Sequence, residues 1–156
     1  MRPTAPDAPP PYSPIALVLP TAQGTFLDLA DARGRALVVA CVTMDDLASQ
    51  AMLRELELLA RELPEDLRVV AVVGDRHPPR LLRDLSLMYA QVVGLERVAV
   101  ALATDEVRDG LSPLGAVDHV PSLYLVNRAG VLSRRVNGVL TLGALRAMIA
   151  PALPGR

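Results

Sequence analysis

The most informative segment of the chain is residues 117–130, Val-Asp-His-Val-Pro-Ser-Leu-Tyr-Leu-Val-Asn-Arg-Ala-Gly. The apolar run that follows the proline, residues 122–126, has the length of a β-strand. Residues 127–130 have the composition of a tight turn, and a second strand-like run follows at 131–136. The segment therefore predicts a β-hairpin that begins directly after Pro121.

Upstream of this hairpin, strand-like and helix-like patterns alternate along the chain. Three continuous apolar runs, typical of strands that are covered on both faces, lie at 36–42, 67–74 and 97–103. Helical spacing of apolar residues predicts a helix at 47–63, stopped by Pro64. A second predicted helix ends at Gly94 and carries four apolar residues on one face: Leu81, Leu85, Met88 and Val92.

Both ends of the chain add elements to this pattern. Two short apolar runs at 15–19 and 25–29 flank a turn that contains Gly24, which predicts an N-terminal β-hairpin. A last helix is predicted from Thr141, as its N-cap, to about Ala150. This order of elements predicts an α/β domain with a central mixed sheet and helices on both faces.

Length and composition limit the classes of function. We expect one domain over residues 15–156, preceded by a flexible proline-rich arm at 1–14, because half of the 156 residues are apolar (51%) and 21% are charged. A net charge of −1 provides no basic surface for nucleic acid. Because there is no secretory signal, no apolar run of membrane-spanning length and only one cysteine, the sequence predicts a cytoplasmic protein.

The order of elements, together with the Val-Pro dipeptide before an apolar strand, resembles the redoxin branch of the thioredoxin superfamily. TlpA-type thioredoxins have a similar segment, in which valine and a cis-proline precede an apolar strand, and Val120-Pro121 matches that dipeptide. Asp118-His119, with Tyr124 five residues after the histidine, is similar to the Sco/SenC copper-chaperone family. The resemblance covers about residues 15–150. It implies a thioredoxin-like three-layer fold and a cis peptide bond before Pro121.

The reactive cysteines of these families are replaced at the start of the first long helix. The TlpA pattern Cys-x-x-Cys falls on Asp46 and Ser49, and the Sco pattern Thr-x-Cys-x-x-x-Cys falls on Thr43, Asp45 and Ser49. The peroxiredoxin pattern places Asp46 at its reactive cysteine. These chemistries need a thiolate at a helix N-terminus, and dithiol exchange needs a second thiol as well. We therefore expect neither dithiol exchange nor thiol peroxidase activity at this site, and the protein is not predicted to be an enzyme of either kind.

The other candidate residues have simpler interpretations. Asp45 and Asp46 are predicted to cap the helix, since adjacent residues at a helix start point in different directions and do not form an acid–base pair. Cys41, the single cysteine, is predicted to be a buried core residue. The Sco resemblance implies that His119 is a metal ligand, with Asp45 and Ser49 in place of its thiolate partners. Because Cu(I) prefers thiolates, this set leaves only a weak Zn²⁺ or Cu²⁺ site as the alternative.

Three hypotheses for function follow. The first is a redox-inactive module that binds a protein or peptide in the groove beside Pro121, with a hydrophobic rim of Val42, Met44, Val120 and Pro121, and that needs no cofactor. The second is a metal-handling or residual enzymatic role built on His119 with Asp45. The third is a structural or regulatory role in a larger assembly. The sequence leaves the partner and the oligomeric state open.

Overall fold

The computed structural model of the protein describes residues 13–155. Its strands are β1 (Val18–Pro20), β2 (Phe26–Asp28), β3 (Ala36–Val42), β4 (Leu67–Val73), β5 (Ala99–Leu102), β6 (Ser122–Val126) and β7 (Leu132–Asn137). Its helices are α1 (Leu47–Glu62), α2 (Pro79–Val93), α3 (Asp105–Arg108) and α4 (Leu142–Ile149), with short 3-10 turns at Leu29–Ala32 and Ala150–Ala152. The predicted arm lies outside the described residues except for Ser13 and Pro14.

A five-stranded mixed sheet with the order β5-β4-β3-β6-β7 forms the centre of the fold. Strands β3, β4 and β5 are parallel, whereas β6 runs antiparallel to β3 and β7 antiparallel to β6. β1 and β2 form a separate antiparallel pair, which confirms the predicted N-terminal hairpin. The C-terminal ends of β3 and β4 therefore meet the start of β6 at one edge of the sheet.

Alternating side chains of the sheet build two apolar cores. Val38, Ala40 and Val42 of β3 belong to the core that is covered by α1, α2 and α4. The intervening side chains of β3 belong to the second core, which contains residues of the N-terminal hairpin and Val107 of α3. All seven residues of β3 are buried, as expected for a central strand between two layers. The predicted α/β class with helices on both faces is confirmed.

Helix α2 carries apolar side chains on two faces. Leu82, Tyr89 and Val93 are buried against the sheet, together with Ser86. A second row, here called the outer stripe, faces away from the core and consists of Leu81, Leu85, Met88 and Val92. The apolar pattern that predicts this helix from sequence is therefore not the face that packs on the sheet. Ser86 is polar and interrupts the apolar pattern of the buried face, so this face is not recognisable from the sequence.

A buried carboxylate ties α1 to the start of β5. Oε1 of Glu57 accepts hydrogen bonds from the backbone N–H groups of Glu96 (2.8 Å), Arg97 (2.7 Å) and Val98 (3.0 Å). Its Oε2 accepts one from Nε of Arg61 at 2.7 Å. Burial alone would raise the pKa of the Glu57 carboxyl, but these donors outweigh burial and hold the pKa below its usual value. Glu57 is therefore a charged, fully partnered link in the core, which the sequence pattern does not reveal.

Among residues 13–155, no helix combines the length and the apolar character that crossing a bilayer requires.

Candidate functional site

The N-terminus of α1 is capped at Asp46 and Ser49, the two residues on which the Cys-x-x-Cys pattern falls. Asp46 is the N-cap residue, and its Oδ2 accepts hydrogen bonds from the backbone N–H of Ser49 (2.9 Å) and from the Ser49 hydroxyl (2.7 Å). Ser49 is fully buried. The predicted capping role is confirmed for Asp46, whereas Asp45, predicted to share it, is exposed and its side chain makes no hydrogen bond to α1 within residues 13–155. The cap satisfies the N–H of Ser49, one of the groups that a helix N-terminus leaves without an intrahelical partner.

Hydrogen bonds connect the turn before α1 to the loop after β4. The backbone N–H of Thr43 donates to Oγ of Ser49 (3.4 Å), and the N–H of Met44 donates to Oδ1 of Asp75 (2.9 Å). Arg108 donates to the carbonyl oxygens of Gly74 (3.4 Å) and Asp75 (3.0 Å). The two loops and α3 are thus held together as one edge of the site.

The loop before β6 forms the opposite edge. The Val120-Pro121 peptide bond is cis. Pro121 is buried and its carbonyl accepts the N–H of Gly138 at 2.8 Å, whereas Val120 is 42% exposed. The Ser122 hydroxyl donates to the carbonyl oxygen of His119. Within residues 13–155, neither the N–H nor the C=O of Val120 has a hydrogen-bond partner.

A small cavity of about 160 Å³ lies between these two edges and is called the Val120 cavity here. Cys41 pairs with Ser122 in the sheet, so the same register places Thr43 opposite Val120. Both residues line the cavity, whose walls are mostly small and apolar. The remaining lining residues are Cys41, Val42, Val72, Gly74, Arg76, Ala103, Val107, Arg108 and Val117.

The predicted hydrophobic rim is only partly correct. Val42 and Val120 line the Val120 cavity, but Pro121 is buried behind it and Met44 is not part of its lining. Met44 instead lines a groove along α2, because its N–H is bound to Asp75 and its sulfur lies 4.0 Å from the hydroxyl oxygen of Ser86. The residues of the predicted rim therefore lie on two different surfaces, the Val120 cavity and the groove along α2.

Comparison with solved structures identifies the fold. A thiol:disulfide interchange protein of the thioredoxin family from Chlorobium tepidum superposes with a TM-score of 0.75 over 95% of this chain and 99% of its own, at 18% identity. The chain has the thioredoxin-like fold. A secreted disulfide oxidoreductase from Mycobacterium tuberculosis gives a TM-score of 0.70 at 16% identity, covering 87% of this chain and 96% of that one.

A third solved structure of thioredoxin-like fold, the exposed lipoprotein thioredoxin of Streptococcus pneumoniae, has a TM-score of 0.70 at 15% identity and covers 87% of this chain and 98% of its own. No protein-family model matches this chain, and no curated protein matches it. Because two of these neighbours are secreted or exposed on the cell, the cytoplasmic location of this thioredoxin-like chain stays a prediction.

The single thiol of this thioredoxin-like chain belongs to Cys41, in the central strand β3. Cys41 is 4% exposed, which confirms the predicted core position. Burial raises the pKa of its thiol to about 12, with only a small opposing effect from Arg135. A thiol with such a pKa is almost entirely protonated at neutral pH, and the thiol form is not the nucleophile.

We therefore expect Cys41 to be inert in the native protein. At neutral pH, an aromatic disulfide reagent should label one thiol per chain when the chain is unfolded in guanidinium chloride. Over the same time it should label no thiol in the folded chain. The unfolded sample is the control, since there the thiol has its ordinary pKa and is accessible. Labelling of the folded chain as fast as the unfolded chain would contradict the assignment of Cys41 to the core.

The predicted metal pairing of His119 with Asp45 stays a prediction. His119 is exposed, and Asp45 lines the groove along α2 together with Asp75 and His77. Tyr124, the third residue of the Sco-like pattern, is fully buried, with the guanidinium of Arg135 5.4 Å from its ring centre. Within residues 13–155, no three His, Cys, Asp or Glu side chains are grouped so that they could hold a metal ion.

Proposed function

We propose that this thioredoxin-like domain is a redox-inactive module that binds an extended protein or peptide segment at the Val120 cavity. The observation that carries the proposal is the backbone of Val120, a residue that is 42% exposed. Its N–H and C=O have no partner within residues 13–155 and lie beside an apolar cavity. An extended chain can pair with such groups in the manner of an added strand, while the cavity accepts one of its side chains.

The walls of the cavity indicate the chemistry of the bound segment. Valine and alanine side chains form most of the lining, so the cavity favours an apolar side chain of moderate size. Arg108 is committed to the carbonyl oxygens of Gly74 and Asp75, whereas Arg76 is exposed at the rim. We therefore expect the bound segment to present an apolar side chain with a carboxylate next to it.

The residues that cap α1 are consistent with a binding function that uses no thiol chemistry. Asp46 and Ser49 occupy the positions from which a dithiol would attack a bound disulfide, and they satisfy each other instead. A segment held at Val120 would then be bound only by non-covalent contacts. Its affinity would depend on backbone pairing and on the cavity, with no dependence on the redox state of the solution.

Selection from a library of random linear peptides, followed by affinity measurement on the full chain, tests this proposal. We expect Val120→Glu to weaken binding of the selected peptides at least about tenfold, since the change adds a desolvated charge at the centre of the interface. Leu58→Glu is the matched control, because Leu58 is exposed to a similar degree (50%) on α1 and does not line the cavity. Peptides that bind the Val120→Glu variant as tightly as the natural chain would overturn the proposal.

A further inference from the structure

The outer stripe of α2 forms one wall of the groove along that helix. Met88 is 61% exposed and Val92 is 75% exposed, and Leu85 is partly buried between them. Together with Tyr89 they line a cavity of about 350 Å³. Exposed apolar side chains that line a cavity indicate a contact with another molecule.

The turn before α1 and the loop after β4 supply two carboxylates to the same groove. Asp45 is exposed and Asp75 is half-buried, and both line the groove beside Met44 and His77. Within residues 13–155, neither carboxylate belongs to an ion pair. The only hydrogen bond that either of them accepts from this part of the chain runs from the N–H of Met44 to Oδ1 of Asp75. Both carboxylates can therefore accept hydrogen bonds from a bound cation.

The hydroxyl of Tyr89 adds an oxygen without a partner. Tyr89 is 8% exposed, and its buried hydroxyl has no hydrogen-bond partner among the described residues, 13–155. Burial, and then the nearby carboxylates of Asp75 and Asp46, raise the pKa of this phenol to about 12, whereas Arg54 opposes the change. The carboxylates around Tyr89 thus outweigh the guanidinium of Arg54, so this part of the groove favours a bound cation.

The spacing of the outer stripe indicates that the bound segment is a helix. The four side chains of the stripe follow one another at intervals of four, three and four residues. This is the spacing with which the side chains of one helix pack along another helix. The groove also contains two methionines, Met44 and Met88, whose flexible side chains adapt to the surface of a bound helix.

We propose that the groove along α2 binds an amphipathic helix of another protein, which carries a lysine or an arginine at one end of its apolar face. The apolar side chains of that helix pack on Leu85, Met88 and Val92. Its cationic side chain reaches Asp45 and Asp75, which have no ion-pair partner within residues 13–155.

The charges of the groove disfavour two other occupants. A second copy of this chain that placed its own outer stripe in the groove would bring only apolar side chains, and Asp45 and Asp75 would gain no cationic partner. An anionic membrane surface would be repelled by the same two carboxylates. A helix with a cationic end satisfies both the apolar wall and the carboxylates.

The groove is separate from the proposed peptide site, although the same two loops contribute to both. Residues of these loops alternate between the sites: Thr43, Gly74 and Arg76 line the Val120 cavity, whereas Met44, Asp75 and His77 line the groove along α2. A helix in the groove and an extended segment at Val120 would therefore contact different side chains. The Val120→Glu variant should bind the helix as the natural chain does, so the two proposals can fail separately.

Fluorescence anisotropy with two labelled helical peptides tests the proposal on the full chain. Both peptides are built from alanine, glutamine and leucine, with the leucines at intervals of four and three residues. One peptide carries an arginine beside the leucine row at each end, and the other carries citrulline, the neutral analogue, at the same positions. We expect the arginine peptide to bind at least about tenfold more tightly. Equal affinities, or no binding of either peptide, would overturn the proposal.

Substitutions in the groove separate its two contributions. Met88→Gln should weaken both peptides about tenfold, because it places an amide against their apolar face. Asp45→Asn should weaken only the arginine peptide. Asp84→Asn is the matched control, since Asp84 is an exposed carboxylate on α2 that does not line the groove. An equal effect of Asp84→Asn and Asp45→Asn would show general attraction to the acidic surface and overturn the proposal.

Sedimentation velocity of the natural chain and of the Met88→Gln variant tests for a second copy in the groove. We expect the natural chain and the variant to sediment with the same mass. A natural chain that dimerises, with a dimer that Met88→Gln dissociates, would overturn the proposal because a second copy would then occupy the groove. Circular dichroism melts verify that each variant retains the fold.

Discussion

Replacing Asp46 and Ser49 together by cysteine is expected to give this chain a disulfide-exchange activity that the natural sequence lacks. Asp46 is the N-cap of α1 and Ser49 lies three residues further on, with the two side chains in contact, so we expect thiols at these positions to be able to form a disulfide. The first thiol would lie at the N-terminus of α1, where the helix lowers its pKa. The buried second thiol would resolve mixed disulfides.

Reduction of insulin by dithiothreitol, followed by turbidity, measures this gain. The natural chain should give the uncatalysed rate, and the double variant should exceed that rate by at least about tenfold. The variant Asp46→Cys alone should accumulate mixed disulfides without turnover, because it has no resolving thiol. Loss of the Asp46 cap costs about 1 kcal/mol of stability, which a folded domain tolerates. A double variant that forms no internal disulfide would contradict the placement of the dithiol position at 46 and 49.

Truncating the buried carboxylate, Glu57→Ala, is expected to be among the most destabilising single substitutions in the domain. It leaves the backbone N–H groups of Glu96, Arg97 and Val98 without their acceptor and removes one of the two carboxylate partners of Arg61. Leaving buried N–H donors without their acceptor costs about 1 to 3 kcal/mol. Urea denaturation followed by circular dichroism measures the free energy of unfolding. A loss below about 1 kcal/mol would show that the link is not important for stability.

The same carboxyl predicts how stability depends on acid. Because the pKa of Glu57 is lower in the folded chain than in the unfolded chain, its contribution is fully present above the unfolded pKa and is lost as the pH falls through the folded pKa. Glu57→Gln keeps an oxygen acceptor but does not titrate. Its free energy of unfolding should therefore be lower than that of the natural chain at neutral pH and should approach it in acid. Parallel curves for the two proteins would contradict the assignment.

The central sheet and the capped N-terminus of α1 were predicted from the sequence because both depend on local sequence patterns. The continuous apolar run of β3 has the length and composition of a strand buried on both faces, and Asp46 precedes α1 at a capping position. In all three family patterns an aspartate stands at the position of the first cysteine, and in the two patterns that require a second cysteine Ser49 stands in its place. The predicted alternation of strands and helices therefore agrees with the structure along most of the chain.

Features that depend on contacts between distant segments were not predicted. Glu57 looks like a solvent-facing helix residue until β5 brings three N–H groups to it. Met44 was placed at the groove beside Pro121, but its hydrogen bond to Asp75 turns it towards α2. α2 itself has two apolar faces, and sequence periodicity does not show which of them packs on the sheet. Such choices are made by tertiary packing, which local patterns do not encode.

The proposed function requires a peptide site at Val120, next to a helix start that carries no thiol. The most direct measurement is amide chemical-shift mapping of the ¹⁵N-labelled full chain during titration with a selected peptide. We expect the largest shifts on the residues that line the Val120 cavity, with Thr43, Gly74 and Val120 among them. Shifts confined to α2, or distributed over the surface without a maximum at Val120, would contradict it.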